Sequence, residues 1–308
     1  MKISIIIPVY NAEKYLKRCL NSVIESLGKI EGEILIIDNK STDNSLILMK
    51  AYLKKYPKLI KLFDCTAPGA AAVRNFGAKK ARGDYIWFVD ADDEITKDSI
   101  GKLVECADKI KADLVMFGME RRYPDGKKNY LSAVKPTEKD FKSRFVRYGL
   151  GPVQVLIKRS WWVKNDFRFR EGIIHEDMEL MSSLILFTDK YAAIDEPLYF
   201  YYQNSNSVLH KTTFDTHIFD IFPALTGLYE RFKNASATKI FHDELEWFFI
   251  WNLLIDSAKD FAAFPEGKSG FLRSREMLKR YFPKWRKNRF LKQKPLKLQI
   301  KVRLNYYK

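Results

Sequence analysis

Four carboxylates crowd into five positions where the stretch "YIWFVDADDEI" (85–95) leaves an apolar run: Asp90, Asp92, Asp93 and Glu94. Two like charges about 4 Å apart repel by roughly 4 kcal/mol at an effective dielectric near 20. A cation among the acids makes such crowding tolerable. All-oxygen ligands favour Mg2+ or Mn2+ over zinc. The acids are too few for a closed protein cage, and a substrate diphosphate would supply the remaining oxygens. Alternate residues of an extended segment share a side, which groups Asp90 with Asp92. The plainer role for these acids is to cap the next helix, but Thr96 and Asp98 are available for that. An EF-hand loop fails, because its sixth and twelfth positions counted from Asp90 are Ile95 and Gly101.

The elements that must position these acids alternate strand and helix over the first 117 residues. "ISIIIPV" (3–9) is a continuous apolar run, as expected for a strand buried on both faces, "EILIID" (33–38) reads as a second buried strand, and "LIKLFDC" (59–65), "YIWFV" (85–89) and "DLVMFG" (113–118) read as further strands. Between the first two strands, Leu16, Leu20, Val23, Ile24 and Leu27 fall at helical spacing. The turn "NKSTDNS" offers helix caps before "LILMKAYLKKY", and further helices are predicted at "AAVRNFGAKKA" and "DSIGKLVECADKIK". Repeated β-α-β units imply a three-layer α/β fold with a mostly parallel sheet. After Met119 the pattern becomes mixed. A hairpin is predicted around Pro124-Asp125-Gly126, short strands at "VQVLIK" and "PLYFYY", and a helix at "EDMELMSSLILF". Beyond about Phe214 only helical signals occur. The expected division is 1–117 as a nucleotide half, 118–212 as an acceptor half, and 213–308 as a helical, basic C-terminal module.

Ligands of open parallel sheets bind beyond the carboxyl ends of the strands. Three predicted strands deliver polar groups to that edge, at Tyr10-Asn11, Asp38-Asn39 and Asp90-Ala91-Asp92-Asp93. No GxGxxG opens the first helix and no Walker A sequence exists, which disfavours nicotinamide enzymes and P-loop NTPases. "DADDEI" has the Asp-x-Asp of haloacid-dehalogenase phosphatases. That family places the strand near the N-terminus and continues with Thr or Val, where this chain has Glu94.

Four segments in order, "IIIPVYNAEKYLKRCLNSV", "IIDNKSTDNS", "AAVRNFGAKKARGDYIWFVDADD" and "HED", resemble family-2 glycosyltransferases of the GT-A fold, from Ile3 to about Ser207. The resemblance implies an inverting, metal-dependent enzyme that moves a sugar from a UDP-sugar, or a dTDP-sugar, to a hydroxyl of a glycan acceptor. It implies Mn2+ or Mg2+ as cofactor and a setting in bacterial surface polysaccharide synthesis. By the same resemblance, Pro8, Tyr10 and Asn11 line the nucleotide. Asp38 and Asn39 match an Asp-Asp pair that reads uracil and ribose, with an amide at the second place. Arg74 lies near the nucleotide. Asp90 sits by the ribose, Ala91 lies within the Asp-x-Asp, and Asp92 or Asp93 binds the metal. Asp177 is the general base, with Glu176 contacting or orienting the acceptor. His210 matches a residue closing over diphosphate or metal. Inversion needs a base on the sugar face opposite the leaving group, hence from a different segment than the metal ligands. The plainer reading of Glu176 and Asp177 is as first-turn helix acids. Two other functional classes stay open: a catalytically idle GT-A scaffold in a membrane assembly complex, and a phosphatase with Asp90 as nucleophile.

The net charge of +16 is uneven: 271–308 holds fourteen Lys or Arg against Glu276 alone, and so carries +13. Interleaved aromatic and aliphatic residues suit an anionic bilayer surface, although Pro283 and Pro295 break any single helix. A polyanionic partner and a solvated end are the alternatives. Nucleic acid is not expected, since no recognised binding module accompanies the charge. No apolar run approaches the ~20 residues of a membrane span, and the N-terminal apolar run is short for a secretory signal. Cys19, Cys65 and Cys106 are scattered and read as reduced thiols. The expected location is cytoplasmic, peripheral at the inner face of the cell membrane, with a glycan acceptor that is lipid-linked.

Overall fold

In chain order the elements are β1 (Ile3–Val9), α1 (Glu13–Leu27), β2 (Gly32–Asp38), α2 (Ser45–Lys55), β3 (Ile60–Asp64), α3 (Ala70–Lys80), β4 (Tyr85–Phe88), β5 (Glu94–Ile95), α4 (Ser99–Ile110), β6 (Leu114–Arg122) and β7 (Lys128–Leu131). They continue with α5 (Phe141–Tyr148), β8 (Val155–Lys158), α6 (Arg159–Lys164), α7 (Glu176–Met181), β9 (Tyr191–Tyr202), α8 (Ile221–Asn234), α9 (His242–Trp251), α10 (Ser257–Ala263), α11 (Ser269–Tyr281), α12 (Arg289–Lys292) and α13 (Leu296–Tyr307). The computed structural model describes residues 1–132, 141–203 and 214–308. The chain forms two units. One comprises Met1–Phe141, Leu150–Gly172 and Thr188–Ser207, and the other Lys142–Gly149, Ile173–Phe187 and Val208–Lys308.

The first unit is built on one sheet of order β3-β2-β1-β4-β8-β6-β9-β5, with β7 paired to β6. β3, β2, β1 and β4 are mutually parallel. The runs of β1, β2 and β4 are nearly continuous in apolar residues because helices cover both faces, whereas β3 at the sheet edge is only partly buried. Ile5 and Ile7 enter a core with Leu16, Leu20 and Val23 of α1. Ile6 points to the other face, where α3 lies so close that a Cβ on Gly77 would sit 2.7 Å from Ile37 Cδ1 and against Ile6 Cγ2. Gly77 therefore sets the approach of α3, and with it the seat of Arg74 one turn earlier.

The second half of the sheet is mixed. β8 runs antiparallel between β4 and β6, so β6 is not the next parallel neighbour of β4. β9 then runs parallel to β6, and β5 pairs antiparallel with β9. The predicted hairpin joins β6 and β7, and Gly126 takes φ 82° there, a conformation that favours glycine. The helix predicted at "EDMELMSSLILF" is shorter than expected: α7 stops at Met181 and a 3-10 turn follows at Leu184–Phe187.

The second unit is helical after residue 213 among the described residues. The basic segment 271–308 is folded into this unit rather than appended to it. Phe271, Leu278, Phe282, Trp285, Leu291 and Val302 are buried there. The two prolines act as stops, with Pro283 just past α11 and Pro295 at the start of α13. Among the described residues no helix is long and apolar enough to cross a membrane.

Candidate active site

The loops that follow β1 and β2 are tied to one another. Asn11 adopts φ 49°, a left-handed conformation that Asn tolerates better than most side chains. Its Oδ1 accepts from Thr42 N at 2.7 Å, and its own N–H donates to Ser41 Oγ at 3.1 Å. Asp38, the last residue of β2, is buried and accepts from Ser41 N at 3.3 Å. Pro8 is half-buried in β1, while Tyr10 stands 64% exposed just beyond it. An exposed ring beside a polar loop can stack on a base.

Asn39 departs from its expected role. Its Nδ2 donates to Cys65 O at 2.9 Å and to Ala67 O at 2.8 Å, while Oδ1 accepts from Gly69 N at 3.1 Å. Both amide donors are spent on the loop before α3. The side chain is a clamp on that loop and not an open donor–acceptor face for a base.

Arg74, on α3 and 7% exposed, donates from Nη2 to Asp90 Oδ1 at 2.9 Å. Asp90 N–H donates to Tyr199 Oη at 3.2 Å, and Ala91 is buried beside it. Asp90 and Asp92 are half-buried. The main-chain oxygen of Asp92 accepts from Arg18 Nη2 at 2.5 Å, and the Arg18 guanidinium lies 3.6 Å from the Tyr202 ring centroid. Arg18, Tyr199 and Tyr202 were not singled out in the sequence. Tyr199 and Tyr202 lie in the predicted strand "PLYFYY", but nothing local marks their partners.

Asp93 requires a correction. It has no exposed surface, and its oxygens accept from Tyr199 Oη at 2.6 Å and Tyr202 N at 2.8 Å. Burial, then the charges of Asp92 and Asp90, push its carboxyl well above the usual range. Asp93 anchors the loop to β9 and does not belong with the half-exposed acids as a metal ligand. Asp90 and Asp92 remain, an oxygen set at a polar edge that fits Mg2+ or Mn2+ with ligand oxygens completing the shell.

Glu176 and Asp177 begin α7 in the second unit, with His175 at its N-cap. Glu176 is buried and Asp177 half-buried. Burial lowers the His175 pKa, opposed by Asp177, Asp220 and Asp260. In the next turn, Glu179 accepts from Arg231 Nε at 3.2 Å. The structure thus gathers the predicted residues of the first unit at one sheet edge, and holds the Glu-Asp pair on a separate element. His210 lies outside the described residues. Elsewhere, ligand atoms of His242, Asp243 and Glu246 lie within 4.8 Å of one another. Asp243 there pairs with Arg289 at 3.1 Å, and Glu246 accepts from Asn288 at 2.8 Å.

A half-parallel, half-mixed sheet with a helical C-terminal part is the GT-A fold. The TarS 1–349 structure from S. aureus in complex with UDP-GlcNAc has this fold, with TM-score 0.78 and 22% identity over 99% of this chain and 89% of that one. The model of glycosyl transferase family 2 matches residues 4–166, and the chain belongs to that family. It is a glycosyltransferase, which displaces the phosphatase alternative. The uncharacterised glycosyltransferase EpsJ of Bacillus subtilis (strain 168) is 28% identical over 77% of this chain and 72% of its own length. A poly(ribitol-phosphate) beta-glucosyltransferase of Bacillus spizizenii is 32% identical, over 55% of this chain but only 27% of its own length.

Proposed function

We propose that the chain transfers a sugar, with inversion, from a UDP-sugar or dTDP-sugar to a hydroxyl of a glycan acceptor in bacterial surface polysaccharide synthesis. The observation that carries this reading is the convergence of Arg74, Asp90 and Asp92 at the sheet edge where Tyr10, Asn11 and Asp38 also end. In this reading Tyr10 stacks on the base, Asp38 binds the nucleoside, and Asp90 approaches the ribose. Asn39 contributes by holding the 65–69 loop. Asp92 would hold a divalent cation, which when bound offsets the negative charge of the donor diphosphate. Arg74 adds a fixed positive group beside that diphosphate. Asp177 takes the proton from the acceptor hydroxyl as its oxygen bonds to the anomeric carbon and the bond to the nucleoside diphosphate breaks. Glu176 orients the acceptor. The functional division we propose is 1–117 for the donor, 118–212 for the acceptor and 213–308 for attachment. The poly(ribitol-phosphate) in the names of two relatives supports a polymeric glycan acceptor. That this acceptor is lipid-linked, and met at an anionic membrane surface on the cytoplasmic side, is the part of the proposal that the basic segment 271–308 supports.

A nucleotide-sugar panel tests the reading, scored by thermal shift and by Mn2+-dependent hydrolysis. A UDP- or dTDP-sugar should stabilise the protein and be turned over. A panel without stabilisation or turnover would falsify it.

A further inference from the structure

We infer that the outer face of α13 is a preformed docking ridge for an anionic lipid surface. The inference rests on the membrane-surface part of the proposed function and names the element responsible.

At about 100° per residue, the twelve residues of α13 sort into distinct faces. Val302, Asn305 and Tyr306 are buried and face inward. Asn305 Nδ2 donates to Leu254 O at 2.9 Å, and the Tyr306 ring packs on Trp285 with centroids 5.0 Å apart. At the far end, Arg286 donates to Tyr307 Oη at 2.8 Å. Val302, Asn305 and Tyr306 hold the C-terminal half of the helix against the unit, so the opposite face points outward.

That outer face is also apolar. Leu296, Ile300, Leu304 and Tyr307 are 69, 47, 61 and 67% exposed. Their spacing places all four within roughly 80° of arc. Lys297, Lys301 and Lys308 follow on one flank and Arg303 lies on the other, all exposed. A helix buried on one side and solvated on the other would carry polar residues outward. Here aliphatic groups are displayed instead, bordered by cations.

The border selects the occupant. No Asp or Glu occurs from Met277 to Lys308. A second copy of the same ridge would set lysine against lysine, and a nucleic acid would leave the leucines uncovered. An anionic bilayer satisfies both halves of the pattern: acyl chains receive Leu296, Ile300 and Leu304, while lysine stems let the ammonium groups reach the headgroups.

The test uses the full chain and two vesicle types, phosphatidylcholine alone and phosphatidylcholine with phosphatidylglycerol. Wild-type protein should float with the anionic vesicles, and less so as salt rises. The triple variant L296S/I300S/L304S should bind at least about tenfold more weakly, while keeping its melting temperature and its UDP-sugar hydrolysis. K297E/K301E should lose the preference for anionic lipid. Equal binding by wild type and triple variant overturns the assignment to α13 and leaves the membrane reading standing. No binding by wild type sinks both. Dimerisation abolished by the triple variant, without vesicle binding, assigns the ridge to a second copy and also overturns the inference. Nucleotide-sugar turnover, scored separately, tests the transferase reading independently of all these outcomes.

Discussion

The Arg74 guanidinium donates to Asp90 Oδ1 at 2.9 Å, across the gap between α3 and the end of β4. The pair fixes the side chain of one acid of the cluster and sets a permanent cation at the polar edge. Arg74→Lys keeps the charge but loses the planar fork. We expect it to cut kcat by about tenfold or more, and Arg74→Ala by about a hundredfold, measured with a UDP-sugar that turns over. Unchanged kcat in Arg74→Ala would remove Arg74 from the site.

Asp177 and Asp92 should fail in different ways. Asp177→Asn is expected to lower turnover by about 10²- to 10⁴-fold with donor affinity intact. Asp92→Ala should instead abolish the Mn2+-dependent part of nucleotide binding. Calorimetric titration of UDP with and without Mn2+ separates the two.

The clamp at Asn39 predicts an unusual response to a small change. Asn39→Asp removes both donors and turns a carboxylate toward Cys65 O and Ala67 O, 2.9 and 2.8 Å away in the parent. Stability should fall by about 1–3 kcal/mol, and donor affinity should drop with it. A variant as stable as the parent in urea unfolding, with tighter UDP binding, would restore the base-reading role.

Tyr199→Phe tests the anchor on Asp93. It deletes the hydroxyl that donates to Asp93 at 2.6 Å and accepts from Asp90 N at 3.2 Å. The expected loss is about 1–3 kcal/mol of stability, together with weaker Mn2+ activation, because the acid loop loses its hold. Asp93→Ala should resemble it in stability. If Asp93→Ala instead abolished metal-dependent nucleotide binding in a well-folded protein, Asp93 would return to the metal site.

His175 predicts a pH dependence. Burial lowers its folded pKa below the usual value near 6.5, although three acids oppose the shift. Its unfolded form therefore binds a proton first as pH falls. Its contribution to stability is complete above about 6.5 and shrinks as pH drops below that value. His175→Gln should flatten this part of the stability profile, as read by denaturant midpoints between pH 7 and 5.

The parallel half of the fold was legible because β1, β2 and β4 are nearly continuous apolar runs, the mark of burial on both faces, and β3 follows beside them. The pairing of β8 between β4 and β6 was not, since strand order is a property of tertiary packing and "VQVLIK" carries no mark of its neighbours. The acids of the candidate site could be found by crowding. Telling Asp92 from Asp93 needed more weight on alternation, which already set Asp93 on the side opposite Asp90 and Asp92. The Asn39 clamp was hidden because its partners are carbonyls 26 and 28 residues away. The packing of the basic segment was hidden in a similar way. Its charge was plain, but which of its aromatic residues are buried depends on partners elsewhere in the second unit.

The bonds from β9 to the acid loop bear on how such enzymes can be rebuilt. Tyr199 and Tyr202 sit about 110 residues downstream of the aspartate they steady, on a strand in the mixed half of the sheet. Transplanting that strand from a homologue would also alter the hold on the acid loop, unless the Tyr199 hydroxyl and the main-chain N–H of residue 202 keep their places in the graft. The acid loop and the strand that steadies it are written in different stretches of sequence, yet they share a mechanical joint and cannot be exchanged as independent parts.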